Sequence, residues 1–224
     1  NPDYIVDNYG ADTLRMYEMF LGPLEQSKPW DTNGIDGVYK FLRRFWRLFY
    51  DRDGKLAVTD EKATEKELRT LHKTIKKVSE DIEEMKFNTA IAALMALIND
   101  IADNKQITRQ ELRTFLLLLN PFAPHITEEL WEQLGFAAKT GKMCCQAEWP
   151  VYDASKTVAS SVEMAIQVNG KMKGTVTMPV DSDEEAVKAA ALAVDKVQKA
   201  AEGMQIVKTI LVKNRLINLI VKPR

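Results

Sequence analysis

The chain has 224 residues, of which 46% are hydrophobic and 28% are charged, and its formal net charge is −1. This composition is typical of globular proteins, and the sequence lacks the roughly 18 consecutive apolar residues that suggest a membrane span. Its two cysteines are adjacent, and its two histidines, His72 and His125, lie far apart, so no zinc-ligand spacing exists. We therefore expect no metal site and reduced thiols in a cytoplasmic protein.

Residues 1–35 are predicted to form a separate segment ahead of a larger domain. A helix is predicted to begin at Asp12 or Thr13 and to end at Gly22-Pro23, because Pro and Gly interrupt helices. The apolar residues between these limits recur at helical spacing, namely Leu14, Met16, Tyr17 and Phe20.

Residues 36–135 carry a helical period throughout and predict an all-α bundle with one core. The apolar stripes of its first three helices are Val38, Phe41, Leu42, Phe45, Leu48 and Phe49, then Leu68, Leu71, Ile75, Val78 and Ile82, then Ile91, Leu94, Met95, Ile98 and Ile101. Asn88 is predicted to cap the third helix. Thr108 and Glu111 form a capping-box pattern that opens the fourth.

The stretch "NPFAPHITEELWEQLG", residues 120–135, predicts a corner between the fourth helix and a short fifth one. Pro121 disfavours helical backbone at Asn120, and Pro124 fits the first turn of the next helix. A general base at His125 would need a partner nucleophile or carboxylate, and the sequence offers no such motif. We therefore predict that His125 is a buried or half-buried hydrogen-bonding residue. The four tryptophans and the methionines are predicted to fill cores.

After a connector at residues 136–161, the period changes from 3.6 to 2, which predicts a small α+β domain over residues 162–224. Asn169-Gly170 lies between two alternating runs and predicts a type I′ hairpin turn. An Ala-rich helix and a short helix at about 195–201 are predicted next, followed by strands at about 206–212 and 216–221. Residues 162–224 hold ten Lys and Arg against seven Asp and Glu, and residues 203–224 hold no acid.

Several stretches together resemble one enzyme family. "LLLLNPFAPHITEELWEQLG" resembles the helix pair of the anticodon-binding domain in class I aminoacyl-tRNA synthetases of the leucine, isoleucine and valine group. "YGADTLRMYEMFLGPLEQSKPW" resembles the segment after their KMSKS loop, and "FLRRFWRLF" and "FNTAIAALMALIND" resemble further parts of the helical domain. The stretch from "IQVNGKMKGTV" to "LINLIV" is similar to the C-terminal domain of bacterial leucyl-tRNA synthetases.

The resemblance implies a multidomain chain, with a helical bundle of the class I synthetase anticodon-binding type followed by a small α+β C-terminal domain. The implied activity is that of a leucine–tRNA ligase, which attaches leucine to tRNA(Leu) with ATP and Mg. The HIGH and KMSKS motifs are absent, so we expect neither catalysis nor a bound cofactor from these residues alone. Because the sequence begins at Asn1 without methionine, we expect an excised portion of a longer, monomeric enzyme that binds neither membrane nor DNA.

The residues predicted to touch tRNA phosphates are basic and lie on both domains. They are Arg43, Arg44 and Arg47 in the bundle, and Lys171, Lys173, Lys208, Lys213, Arg215 and Lys222 in the α+β domain. For the arginines, a solvated face paired with Asp and Glu is an equally good interpretation. Two other functions also stay open: the same portion of a valyl- or isoleucyl-tRNA synthetase, and a free-standing adaptor that binds RNA or protein.

Overall fold

The computed structural model describes residues 1–31, 34–102 and 107–223, which form two compact units, Asn1–Thr157 and Val158–Arg224. The first unit contains helices α1 (Pro2–Tyr9), α2 (Ala11–Phe20), α3 (Ile35–Arg47), α4 (Glu65–Glu83), α5 (Phe87–Ala102), α6 (Arg109–Leu119), α7 (Pro124–Gln133) and α8 (Phe136–Thr140). It also has two-residue strands β1 (Val58–Thr59) and β2 (Ile107–Thr108), and 3-10 helices at Cys144–Gln146 and Ala154–Thr157.

The core of the first unit is built from the apolar stripes of its helices and is rich in aromatic side chains. Phe45 of α3 packs against Phe115 of α6, with ring centroids 4.7 Å apart, and against Phe49 at 5.2 Å. Trp131 of α7 is fully buried and packs against Phe136. Each such side chain stabilises the fold by about 1.5–3 kcal/mol through burial, so the helical periodicity of the sequence predicts this core correctly.

Capping residues set the ends of the helices. Thr108 and Glu111 form the predicted capping box at α6, and Thr64 and Glu67 form another at α4. The prediction that Asn88 caps a helix is wrong, because α5 already begins at Phe87. The Thr89 hydroxyl lies next along the chain and donates to the Asp81 carboxylate at 2.8 Å, which joins the start of α5 to α4.

Three features of the first unit lie outside the predicted helical bundle. Strand β1 pairs with β2 in parallel, with Val58 opposite Ile107, so the unit is helical but not purely α. The segment after α8 packs onto the same core, where Cys144 is buried and Tyr152 is partly buried. Helix α1, which lies ahead of the predicted helix, adds Ile5 to that core.

The second unit is a four-stranded sheet in the order β4-β3-β6-β5. Its elements are β3 (Ser161–Val168), β4 (Lys171–Pro179), α9 (Glu184–Leu192), α10 (Asp195–Ala201), β5 (Met204–Val212) and β6 (Leu216–Pro223). Two antiparallel hairpins meet where β3 pairs with β6 in parallel. Asn169 and Gly170 have φ of 49° and 78°, as the predicted type I′ turn requires.

One face of this sheet is covered by α9 and α10. The buried side chains are aliphatic or contain sulfur, namely Met164, Ile166, Val168, Met178, Val187, Ala191, Val197, Ile217, Leu219 and Val221. Every Phe, Tyr and Trp of the chain lies before residue 158, so this core contains no aromatic ring. Among the described residues, no helix is both long and apolar enough to cross a bilayer.

Candidate functional site

The three candidate arginines of the first unit lie on the exposed side of α3. Phe41, Leu42 and Phe45 turn the opposite side of the helix into the core, which leaves Arg43, Arg44 and Arg47 exposed. The solvated face that the sequence left open therefore agrees with the structure, but in the described part of the chain none of the three arginines forms the ion pair with an acid that this interpretation included. Their contact with RNA stays a prediction.

These arginines do not share one environment. The Arg44 guanidinium donates a hydrogen bond to the Asn99 side chain of α5. The Arg43 guanidinium lies 5.6 Å from the centroid of the Tyr39 ring, at cation–π distance. Arg43 and Arg47 are one helical turn apart, so they can follow one stretch of a nucleic-acid backbone.

His125 lies at the corner between α6 and α7 and takes part in a cap from another helix. The buried Asp12 carboxylate of α2 accepts hydrogen bonds from the backbone N–H groups of His125 (3.2 Å) and Ile126 (2.7 Å). It also lies 2.8 Å from His125 Nδ1. The His125 side chain is 73% exposed, so the predicted burial is wrong, although the predicted hydrogen bonding is confirmed.

The adjacent cysteines occupy a structural position. Both thiols are free, and the Glu128 carboxylate accepts hydrogen bonds from the backbone N–H groups of Cys144 (2.7 Å) and Cys145 (2.8 Å). Burial, together with the nearby Glu128 charge, raises the pKa of Cys144 to about 12. Because the thiolate is the reactive form, Cys144 is unsuited to nucleophilic chemistry at neutral pH.

Four of the six basic candidates of the second unit fall into two groups along β5 and β6, while Lys171 and Lys173 lie on β4. Lys208 and Lys222 lie on the sheet face opposite α9 and α10. Lys208 pairs with Ile220 and Lys222 pairs with Gln205, and these positions alternate along the strands with positions whose side chains lie in the core. Lys213 and Arg215 are exposed in the turn between β5 and β6, about 20 Å from Lys222 along the strand. The structure therefore separates residues that the sequence grouped as one basic tail.

The surroundings of these residues differ from what the sequence alone shows. Acids are absent near Lys213 and Arg215 in sequence, but the Asp181 carboxylate accepts a 2.9 Å hydrogen bond from Asn214 in the same turn. The period of two predicts Lys171 and Lys173 on one face of the hairpin, opposite Met172, but a β-bulge opposite Ile166 and Gln167 interrupts the register, so this prediction is wrong. Met172 is 63% exposed, while Lys173 is half-buried.

Other predicted core residues lie at the surface. Trp131 is fully buried and Trp46 is partly buried, but Trp30 is 45% exposed and Trp149 is 38% exposed. Trp149 is instead held by its indole N–H, which donates to Ser79 Oγ at 2.8 Å. The sequence also gave no reason to select Lys196 and Lys199 of α10, which line a cleft together with Lys173.

Comparison with known proteins decides the family. The family model of the anticodon-binding domain of tRNA ligase matches residues 66–189, more than half of the chain. The chain belongs to this anticodon-binding family of tRNA ligases. The matched residues run from α4 into α9 and include parts of both units, so the family relationship is not confined to the helices.

Two of the proteins similar to this chain are named leucine–tRNA ligase. The chain is 47% identical over 221 residues to the leucine–tRNA ligase of Bacteroides thetaiotaomicron, covering 99% of this chain and 23% of the relative. It is 49% identical over 220 residues to that of Cytophaga hutchinsonii, covering 98% and 24%. The chain therefore spans about a quarter of the length of these relatives.

A solved structure supports the same relationship. The chain is similar to the LeuRS in a crystal structure of the Agrobacterium radiobacter LeuRS–tRNA–LeuAMS ternary complex, with a TM-score of 0.63 and 29% sequence identity. The match covers 99% of this chain and 30% of that one. The resemblance that the sequence motifs indicated to leucyl-tRNA synthetases is thereby confirmed.

Proposed function

We propose that this chain is the tRNA-binding and positioning portion of a leucine–tRNA ligase. The observation that carries the proposal is the similarity to leucine–tRNA ligases along 98–99% of the chain. The proposed partner is tRNA(Leu), to which the longer enzyme attaches leucine in an ATP-dependent reaction. Holding remote parts of the tRNA turns the transfer into a step between pre-positioned reactants, which lowers its entropic cost.

The proposed contacts are mostly between exposed ammonium or guanidinium groups and phosphates. The candidates all lie outside the two cores: Arg43, Arg44, Arg47, Lys171, Lys173, Lys208, Lys213, Arg215 and Lys222. Such contacts fix register and orientation without reading bases. We propose that the first unit contacts a tRNA stem and the second the outer corner of the tRNA, which is recognised by shape. The anticodon bases are not read in this proposal.

ATP and Mg belong, in this proposal, to the part of the longer enzyme outside this chain. Among the described residues, no group of three or more His, Cys, Asp or Glu side chains is placed to hold a metal ion. The sequence also has no Gly-rich phosphate loop. No chemical step is therefore assigned to the residues of this chain.

A salt series tests the electrostatic part of the proposal. We expect the 224-residue chain to bind a leucine tRNA transcript with an affinity that falls steeply as salt rises. Replacing Lys208, Lys213 and Arg215 together by Ala should weaken binding and lower the salt slope by about two. A slope equal to that of the unaltered chain would remove these residues from the contact surface.

Footprinting and aminoacylation test the remaining parts. Protection of anticodon bases with an unprotected outer corner would contradict the proposed orientation. A full-length ligase that carries this chain should charge tRNA with leucine and not with valine or isoleucine. The same ligase should be found in the cytoplasm, and sedimentation should show a monomer. Deleting residues 158–224 from that ligase should impair tRNA charging more than ATP-dependent activation of leucine, because activation needs no tRNA positioning.

A further inference from the structure

A second basic surface of the Val158–Arg224 unit lies between the edge strand β4 and helix α10. Met172, Lys173 and Gly174 of β4 and Lys196 and Lys199 of α10 line an open cleft of about 630 Å³. The described residues that line it include no acid, and in the part of the chain that the structure describes these three lysines form no ion pair. Three lysines therefore line one concave surface, and its other described lining residues, Met172 and Gly174, are uncharged.

The shape of this cleft depends on two local features of β4, a β-bulge and a glycine. The β-bulge on β4 leaves Lys173 as the residue without a cross-strand partner, since Gln167 pairs with Met172 and Ile166 pairs with Gly174. A bulge changes the direction of a side chain, and such bulges occur at functional edges. A Cβ on Gly174 would lie 3.4 Å from Val194 Cγ1, so the glycine lets β4 pack closely against the residue that precedes α10.

Helix α10 supplies the other two charges with a fixed spacing. Lys196 and Lys199 are three residues apart on the helix, which places their Cβ atoms about 5–6 Å apart on one side. Val197 between them is fully buried in the core, which holds this side of the helix outward. The arrangement suits two neighbouring phosphates of one strand, with Lys173 reaching a third.

We propose that this cleft binds the sugar–phosphate backbone of an RNA strand, as a contact separate from that of Lys208, Lys213 and Arg215. The inference rests on the proposed tRNA-binding function. Lysine ammonium groups act as point charges for phosphates, and the exposed Met172 side chain offers an apolar rim for a ribose. The unit contains no aromatic residue for base stacking, and the lysines contact phosphates, which carry no sequence information, so binding here is independent of base sequence.

The cleft and the residues Lys208, Lys213 and Arg215 engage different phosphates. Lys208 lies on the outer strand β5, and the turn that holds Lys213 and Arg215 contacts Asp181, beyond the far end of β4 from Met172. β4 and β5 are the outer strands in the order β4-β3-β6-β5, which separates them by about 14 Å at the usual strand spacing. The cleft and the residues Lys208, Lys213 and Arg215 therefore contribute to affinity independently. Losing one should leave the contribution of the other unchanged.

The test compares three variants of the 224-residue chain for binding to a leucine tRNA transcript over a salt series. Lys173→Gln/Lys196→Gln/Lys199→Gln should weaken binding at least tenfold at low salt and lower the salt slope by about two. Lys173→Arg/Lys196→Arg/Lys199→Arg keeps the charges and should bind like the unaltered chain. The matched control Lys62→Gln/Lys73→Gln/Lys139→Gln removes three exposed lysines of the first unit and should change the slope by less than one.

The outcomes separate this inference from the proposed function. An unchanged slope for the cleft triple Gln variant, with a lowered slope for the Lys208, Lys213 and Arg215 variant, overturns the cleft and leaves the function standing. No binding of the transcript by the unaltered chain overturns the function itself. A loss of binding in the triple Arg variant as well would mean that the cleft is only structural, and circular dichroism and melting of each variant report whether it folds.

Discussion

The two units have hydrophobic cores of different composition. The first has a core of closely packed aromatic rings, including Phe45, Phe115 and Trp131, and helix ends fixed by capping boxes. The second buries aliphatic and Met side chains on one face of a four-stranded sheet and contains no aromatic residue. A small unit buries a smaller fraction of its surface, so we expect the second to be the less stable of the two.

The largest change in the free energy of unfolding should come from removing one ring from the aromatic core of the first unit. Phe115→Ala should lower the free energy of unfolding of the first unit by about 3–5 kcal/mol, because a fully buried ring in contact with Phe45 is lost. Urea unfolding followed by tryptophan fluorescence measures this, since all four tryptophans lie in this unit. Phe115→Leu is the control and should cost much less. Loss of native methyl NMR signals from the second unit at the same urea concentration would show that the second unit does not unfold independently of the first.

The reciprocal change addresses the second unit. Leu219→Ala should cost about 2–4 kcal/mol, because the side chain is fully buried at the centre of the sheet. The free-energy change is smaller than for Phe115, but it is a larger share of the stability of a small unit. Methyl NMR of the remaining Leu, Ile and Val residues should report unfolding while tryptophan fluorescence stays unchanged. A parallel shift in fluorescence would show that the units unfold together.

A smaller effect should follow from removing the cap between helices of the first unit. Asp12→Ala leaves the N–H groups of His125 and Ile126 without their carboxylate and should cost about 1–3 kcal/mol. Amide exchange at Ile126 should accelerate before the rest of α7. Asp36→Ala removes an exposed acid from the first turn of α3 and should cost under about 0.5 kcal/mol. If both variants lose equal stability, the cap has no special role.

The smallest effect concerns pH and is confined to the first unit. His72 Nδ1 accepts a hydrogen bond from the Asp153 N–H at 3.1 Å, and burial, with a contribution from the Lys156 charge, lowers the pKa of His72. Protonation removes this acceptor. The stability from the contact is therefore complete above the unfolded pKa of about 6.5 and is lost as pH falls through the lower folded pKa.

The experiment is an acid titration of tryptophan fluorescence. Trp149, whose indole N–H donates to Ser79 of α4, lies in the same segment as Asp153, which His72 holds. The unaltered chain should show a transition below pH of about 6.5. His72→Gln should lack that transition, while His125→Gln, at the exposed histidine, should retain it. A transition that survives in His72→Gln would assign it to another group.

Periodicity and capping rules could predict most elements, because they depend on neighbours in sequence. The α6–α7 corner, the Asn169-Gly170 turn and α10 follow from such local rules. Contacts between distant residues could not be predicted, and Asp12 with His125 and Asp181 with Asn214 are of this kind. The same limit applies to the candidate site: basic residues could be selected by type, but a β-bulge and a helix bring Lys173 to Lys196 and Lys199.

The cap from Asp12 also orders the events of folding. Asp12 and His125 are 113 positions apart, and α2 leaves the ribosome long before α7 is made. Until α7 is made, the Asp12 carboxylate, which is buried in the folded protein, stays in water. During that time it has no contact with the N–H groups of α7 that it will later bind. When α7 arrives, the contact closes a loop that contains most of the first unit. We therefore expect this corner to be among the last parts of the bundle to become rigid during synthesis.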